Sequence, residues 1–202
     1  MGVPAYRLRF QVPYSKPTIL KWFRILREAI YQDVIKDLKP LSGEIEMDET
    51  MTGGRRPGKR GWGATGKWIV FGIYQRNGKV LAFPITSRAK ETMQPYITRY
   101  TKAGSLYYTD DKVCLYLLPI RGNYVVVLKE KGVPKGRDHI NGIEGFWFFA
   151  KHWLYQYRGI NQAYFPLYLK ELEWRFNLRN ENLVILLRRL LNQQISIVKE
   201  QI

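Results

Sequence analysis

Hydrophobic positions along this chain fall into blocks whose spacing changes from one block to the next, and each block predicts an element. After Ser15-Lys16-Pro17-Thr18, the residues Ile19, Trp22, Phe23, Ile25, Leu26, Ile30 and Val34 recur at helical spacing. Serine ahead of a proline in the first turn is a helix start, so a helix is predicted through about Lys36, ending before Pro40. Glu44-Ile45-Glu46-Met47-Asp48 alternates polar and apolar residues, the pattern of a half-buried strand, with Asp48 at its end. Residues 53–67 carry six glycines and read as a mobile basic loop. Residues 68–74 and 79–86 flank Arg76-Asn77-Gly78, a turn signal between two strands, so three strands form an antiparallel meander. Residues 88–102 then read as a helix, 105–110 and 124–128 as strands, and 140–155, 162–177 and 183–198 as helices, the last amphipathic.

The order β-β-β-α-β-α-β predicts one mixed sheet, an antiparallel three-strand meander plus parallel strands, with helices on both faces: an α/β fold. A length of 202 residues with 46% hydrophobic content suits one globular domain with short appendages. No stretch approaches the roughly 20 apolar residues of a bilayer span, and the first residues lack a signal peptide's apolar run. A soluble, cytoplasmic protein is therefore expected. The single cysteine, Cys114, excludes an internal disulfide or a cysteine-cluster zinc site and reads as a core residue.

Charge narrows the function. With 33 Lys and Arg against 17 Asp and Glu, the net charge is +16, more than solubility asks of a small domain, so a polyanionic partner is expected. Nine basic residues (Arg55, Arg56, Lys59, Arg60, Lys67, Arg76, Lys79, Arg88 and Lys90) follow Thr50 without an intervening acid. They fall in a loop and strands rather than on a basic amphipathic helix, which favours nucleic acid over a membrane surface. Arg55 through Lys67, together with Arg121, Lys129, Lys131, Lys135 and Arg137, are expected to grip backbone phosphates. Trp62 stands among these charges as a candidate base-stacking residue, whereas Trp68 reads as the start of a core strand.

The candidate chemistry rests on carboxylates. Asp48 ends the first predicted strand and Asp110 the fourth; if those strands are neighbours, two carboxylates converge at one sheet end and need a cation between them. Glu144 opens the following long helix, and Lys151, seven residues later, lies about 20° away around the axis. Ile143, Phe146, Trp147, Ala150, Trp153 and Leu154 occupy a separate arc suited to packing on the sheet. Asp, Asp and Glu are hard oxygen donors for Mg²⁺ or Mn²⁺, and a pair of such ions serves phosphoryl transfer, with Lys151 placed against a DNA phosphate. Asp111 adjoins Asp110, but alternation along a strand lets only one of them face the metals, and Asp110 is preferred. Glu46 and Glu49 read as solvated or supporting carboxylates. His139 and Asn141 are placed to orient substrate or a ligand, and Asn141 equally to cap the helix. Arg175 and Arg179, one turn apart beside Trp174 and Phe176, read as structural.

Four segments carry a resemblance: Glu46-Met47-Asp48-Glu49-Thr50 with Gly53-Gly54; Tyr108-Thr109-Asp110; His139 through Trp147 (His-Ile-Asn-Gly-Ile-Glu-Gly-Phe-Trp); and Trp174-Arg175-Phe176-Asn177 with Arg179. Together they resemble bacterial insertion-sequence transposases of the ISXO-like DDE family. That resemblance implies an RNase H-like core whose acidic triad is Asp48, Asp110 and Glu144, followed by Lys151, with Asn141 a rival for the third place. It also implies two Mg²⁺ or Mn²⁺ ions, double-stranded DNA as substrate (element ends and target), and a homo-oligomer working on it. The activity implied is metal-dependent strand cleavage and strand transfer; the alternatives are an inactive DNA-binding remnant and an RNase H-like nuclease. The chain departs from the family pattern at its amino end, where no cysteine-rich zinc ribbon is possible. The expected organisation is a residual helical DNA-binding region over residues 1–40, a catalytic domain over 41–180 and a terminal amphipathic helix over 181–202.

Overall fold

A computed structural model describes residues 3–53, 67–110, 121–127, 136–157 and 160–200, with side chains described through 193. The elements in chain order are α1 (Ala5–Leu8), α2 (Lys16–Lys36), β1 (Glu44–Thr52), β2 (Trp68–Gln75), β3 (Val80–Ile85), α3 (Lys90–Tyr100), β4 (Leu106–Thr109), β5 (Tyr124–Val126), α4 (Asn141–Leu154), a short 3₁₀ turn (Gln162–Tyr164), α5 (Phe165–Asn177) and α6 (Leu183–Glu200). They divide into two compact units, Lys39–Tyr155 and a helical unit of Met1–Leu38 with Gln156–Ile202.

The first unit is built on a five-stranded sheet of order β3-β2-β1-β4-β5. β1, β2 and β3 form the expected antiparallel meander, turning at Asn77, which adopts a left-handed φ of 59°. β4 joins parallel to β1 and β5 parallel to β4. This is the mixed α/β sheet of an RNase H-like fold. One expectation needs correcting: β1 does not stop at Asp48 but runs to Thr52, because Glu49 through Thr52 continue the ladder with β2 from Phe71 to Trp68.

Each sheet face carries a helix. Register partners share a face, so Glu49, Phe71 and Phe83 lie on one side; there the Phe83 ring stacks on Tyr100 of α3 at 4.6 Å and lies 4.8 Å from Tyr96. Asp48, Gly72 and Ala82 lie on the other side, under α4. The buried residues of α4 are Ile143, Phe146, Trp147, Ala150 and Trp153, the arc expected to pack on the sheet, with Leu154 half-buried at its edge.

In the helical unit, α2 begins as expected, with Ser15 Oγ accepting the Thr18 N–H. Its buried face differs from the apolar pattern: Trp22 is exposed while Arg27 is buried. Arg27 Nε donates to Glu171 Oε2 of α5 at 2.8 Å, and its guanidinium lies 3.9 Å from the Tyr168 ring centroid. Glu171 Oε1 also accepts from Arg175 at 2.8 Å, and Arg179 donates to the Phe176 carbonyl, so both arginines serve structure here.

A candidate active site at the end of the parallel strand pair

The register of β1 and β4 brings two strand ends together. Glu44 stands opposite Leu106 and Met47 opposite Thr109, the last pair of the ladder. Asp48 and Asp110 are the next residues on either side, where β4 ends while β1 continues to Thr52. Both aspartates are half-buried. Thr109 below is buried, so the pair stands at the rim of the packed sheet.

Glu144 arrives on α4, which is fastened over that face at two points. The N-cap residue, Ile140, has no side chain that can cap the helix, and Asn141 is exposed at the first helical position. The sheet supplies the cap instead, since Glu46 Oε2 accepts the Ile143 N–H at 2.9 Å, placing a negative charge at the helix's positive end. His139 Nδ1 accepts the Asn141 N–H at 3.3 Å. The same nitrogen lies 3.7 Å from Glu46 Oε1. One turn into the helix, Trp147 Nε1 donates to Asp48 Oδ2 at 2.9 Å. Both fastenings need a glycine. A Cβ on Gly142 would lie 2.1 Å from Tyr74 Cε1, and a Cβ on Gly72 would lie 2.6 Å from Trp147 Cζ2.

With the packed arc held down, Glu144 and Lys151 are both exposed. Phe148 and Tyr155, 78% and 70% exposed, lie at the spacings that complete one stripe, Glu144-Phe148-Lys151-Tyr155.

Beneath the site, Arg76 joins the elements that carry it. Its side chain is only 10% exposed; Nε donates to Glu46 Oε1 at 2.8 Å, against a Glu46 side chain 1% exposed. The other guanidinium nitrogens donate to the Arg137 and His139 carbonyls and approach Glu44. The guanidinium stacks 3.6 Å from the Tyr108 ring centroid, and Tyr108 donates to Glu44 at 3.1 Å. Burial, then the bond to Glu44, pushes the Tyr108 hydroxyl pKa up. For Glu44, burial pushes upward but is outweighed by hydrogen bonds from Tyr108 and Arg137, which hold its carboxyl low. Glu46 is therefore not a solvated carboxylate but the centre of this network.

The basic surface is correspondingly smaller than the sequence suggests. Arg76 is held by Glu46, and Arg88 pairs with the buried carboxylate of Glu49. Arg137 is 81% exposed although it bonds Glu44, and Lys67 is half-buried just ahead of β2. Arg121 donates to the Thr101 carbonyl. Arg55, Arg56, Lys59, Arg60, Trp62, Asp111, Cys114, Lys129, Lys131 and Lys135 lie outside the described residues. Sequence reasoning missed Arg76, Trp147 and Gly72 as site-building residues; the Gly142 and Trp147 of the His139–Trp147 segment were the available signal.

Asp48 and Asp110 are hard-oxygen donors at neighbouring strand ends. Among the described residues, no three His, Cys, Asp or Glu side chains are gathered closely enough to hold a metal ion. No described helix is long and apolar enough to cross a membrane.

Comparison with known proteins identifies the family. The model of the ISXO2-like transposase domain matches residues 40–177, which include Asp48, Asp110, Glu144 and Lys151. The chain is 33% identical over 100 residues to an uncharacterized transposase-like protein of Haemophilus influenzae, a match spanning 49% of this chain and 81% of that protein. No solved structure matches. An RNase H-like mixed sheet and a family match over most of the chain together establish that this protein belongs to the ISXO2-like transposase domain family.

Proposed function

We propose that this transposase domain cuts DNA to expose a 3′-hydroxyl and then directs that hydroxyl at a target phosphodiester, both as in-line phosphoryl displacements at one site. The observation that carries the reading is the parallel pairing of β1 with β4, whose last pair, Met47 and Thr109, immediately precedes Asp48 and Asp110. Asp48, Asp110 and Glu144 would hold two Mg²⁺ or Mn²⁺ ions, which when bound supply activation of the attacking oxygen and charge neutralisation at the leaving one. Gathering the third donor requires Glu144 to turn toward the pair, a side-chain movement its exposed position leaves room for. Lys151, on the same exposed face, meets a DNA phosphate; Arg55, Arg56, Lys59, Arg60, Lys67, Lys135 and Arg137 hold the backbone, and His139 and Asn141 orient the DNA near Glu144. Work on paired element ends calls for a homo-oligomer on double-stranded DNA.

The test is incubation of the purified chain with labelled duplex in Mg²⁺ or Mn²⁺, scoring nicks and joined strands. Metal-dependent nicking and joining that disappear in Asp48→Ala, Asp110→Ala and Glu144→Ala is the expected result. Nicking without joining would indicate a nuclease, and salt-sensitive binding without products on any duplex would indicate a DNA-binding remnant.

A further inference from the structure

We infer that Trp147 is a positioning residue for Asp48: its indole N–H fixes one carboxylate oxygen, so that the other is presented in a single orientation. This rests on the reading of Asp48 as an active-site carboxylate.

The geometry is specific. The donor–acceptor distance is 2.9 Å, short enough for a charge-assisted bond, and Trp147 is buried whereas Asp48 is half-buried. The donor is therefore fixed by packing and the acceptor is the movable partner. The place of the ring is prepared by the sheet: the residue opposite Asp48 in the β1–β2 ladder is Gly72, and any larger residue would put a Cβ within 2.6 to 2.8 Å of the Trp147 ring and the Ile143 side chain. A strand residue without a side chain leaves a recess one residue wide directly beside Asp48, and the indole fills it with its N–H edge toward the carboxylate. An indole N–H can only donate, so it holds the oxygen without competing as a ligand. A carboxylate with one oxygen fixed has lost most of its χ2 freedom, which matters because small misplacements at a reacting centre reduce rate steeply.

The bond is read directly by NMR of the full chain labelled with ¹⁵N. Of the six tryptophan indole signals, the one absent from Trp147→Phe is assigned to Trp147. That signal is expected to move and lose exchange protection in Asp48→Ala but not in Asp110→Ala; an unmoved signal in Asp48→Ala overturns the inference. The kinetic arm uses duplex nicking. Trp147→Phe keeps most of the ring volume and removes the donor, so kcat is expected to fall roughly 10- to 100-fold with KM for DNA and metal-free DNA binding within about twofold of wild type. Gly72→Ala, which displaces the ring instead of replacing it, is expected to give the same kcat-selective loss. Wild-type kcat in a folded Trp147→Phe overturns the positioning role while leaving the proposed function standing. Full nicking by Asp48→Ala defeats the reading of Asp48 itself, and the inference with it.

Discussion

Replacing Arg76 is the perturbation with the most to say about how the site is held. The sequence puts this residue among DNA-binding cations, but its side chain is 10% exposed and faces a Glu46 carboxylate that is 1% exposed. Arg76→Met keeps much of the aliphatic stem and removes the guanidinium that stacks on Tyr108. Glu46 is then left buried with only the Ile143 N–H among its described donors, and the Arg137 and His139 carbonyls lose a donor. Removing one member of a buried pair costs about 3–5 kcal/mol, a large share of the roughly 5–15 kcal/mol that holds a domain folded. Because the chain has two units, the readout should belong to the sheet unit alone: amide hydrogen exchange in β1 and β4, with urea unfolding alongside. Glu46→Gln in the Arg76→Met background should recover part of the loss, since the second change removes the stranded charge. If Arg76→Met instead costs less than about 1 kcal/mol, as an exposed pair does, and mainly weakens DNA binding, the clamp is not what organises the site.

Other expectations follow from the same contacts. Gly142→Ala should destabilise the sheet unit by about 1–3 kcal/mol, the usual cost of overpacking, because Tyr74 Cε1 stands 2.1 Å from the added carbon; thermal unfolding measures it. In the helical unit, Glu171→Ala strands the buried Arg27 and should cost about 3–5 kcal/mol, seen as loss of helical circular dichroism at lower urea. Burial, then the Glu171 charge, pushes the Tyr157 hydroxyl up to about 12. A raised acid favours the protonated form in the folded state, so this contribution is intact below pH 10 and is lost as pH climbs from 10 toward 12; ultraviolet titration should show a late-ionising tyrosine that Tyr157→Phe removes.

The sequence made the sheet legible where its signals were local. Alternation in residues 44–48, the Asn-Gly turn and the apolar runs around it are properties of short stretches, and the strands they predict pair as expected. The pairing of β1 with β4, which brings the strand ends at Met47 and Thr109 together, was legible only as a condition, because it is not encoded in either strand alone. The end of β1 was misread because residues 49–52 break the polar–apolar alternation, and what extends the strand is a partner more than 15 residues away in sequence. Buried charge was the main blind spot. Arg76 reads as one of the DNA-facing cations and Glu46 as a solvated or supporting carboxylate, and only the fold shows that they meet each other, as Arg27 and Glu171 do in the helical unit. Gly72 and Gly142 gave no turn signal, since their role is to leave space for Trp147 and Tyr74.

The central claim is that Asp48, Asp110 and Glu144 act as one metal site, and the most direct measurement is manganous-ion binding to the protein–DNA complex, followed by electron paramagnetic resonance. The account predicts saturable uptake by wild type and by Glu91→Ala, an exposed-carboxylate control on α3, with affinity falling at least about tenfold in each of Asp48→Ala, Asp110→Ala and Glu144→Ala, the scale of losing one charged ligand. Uptake by the three variants indistinguishable from wild type would contradict it.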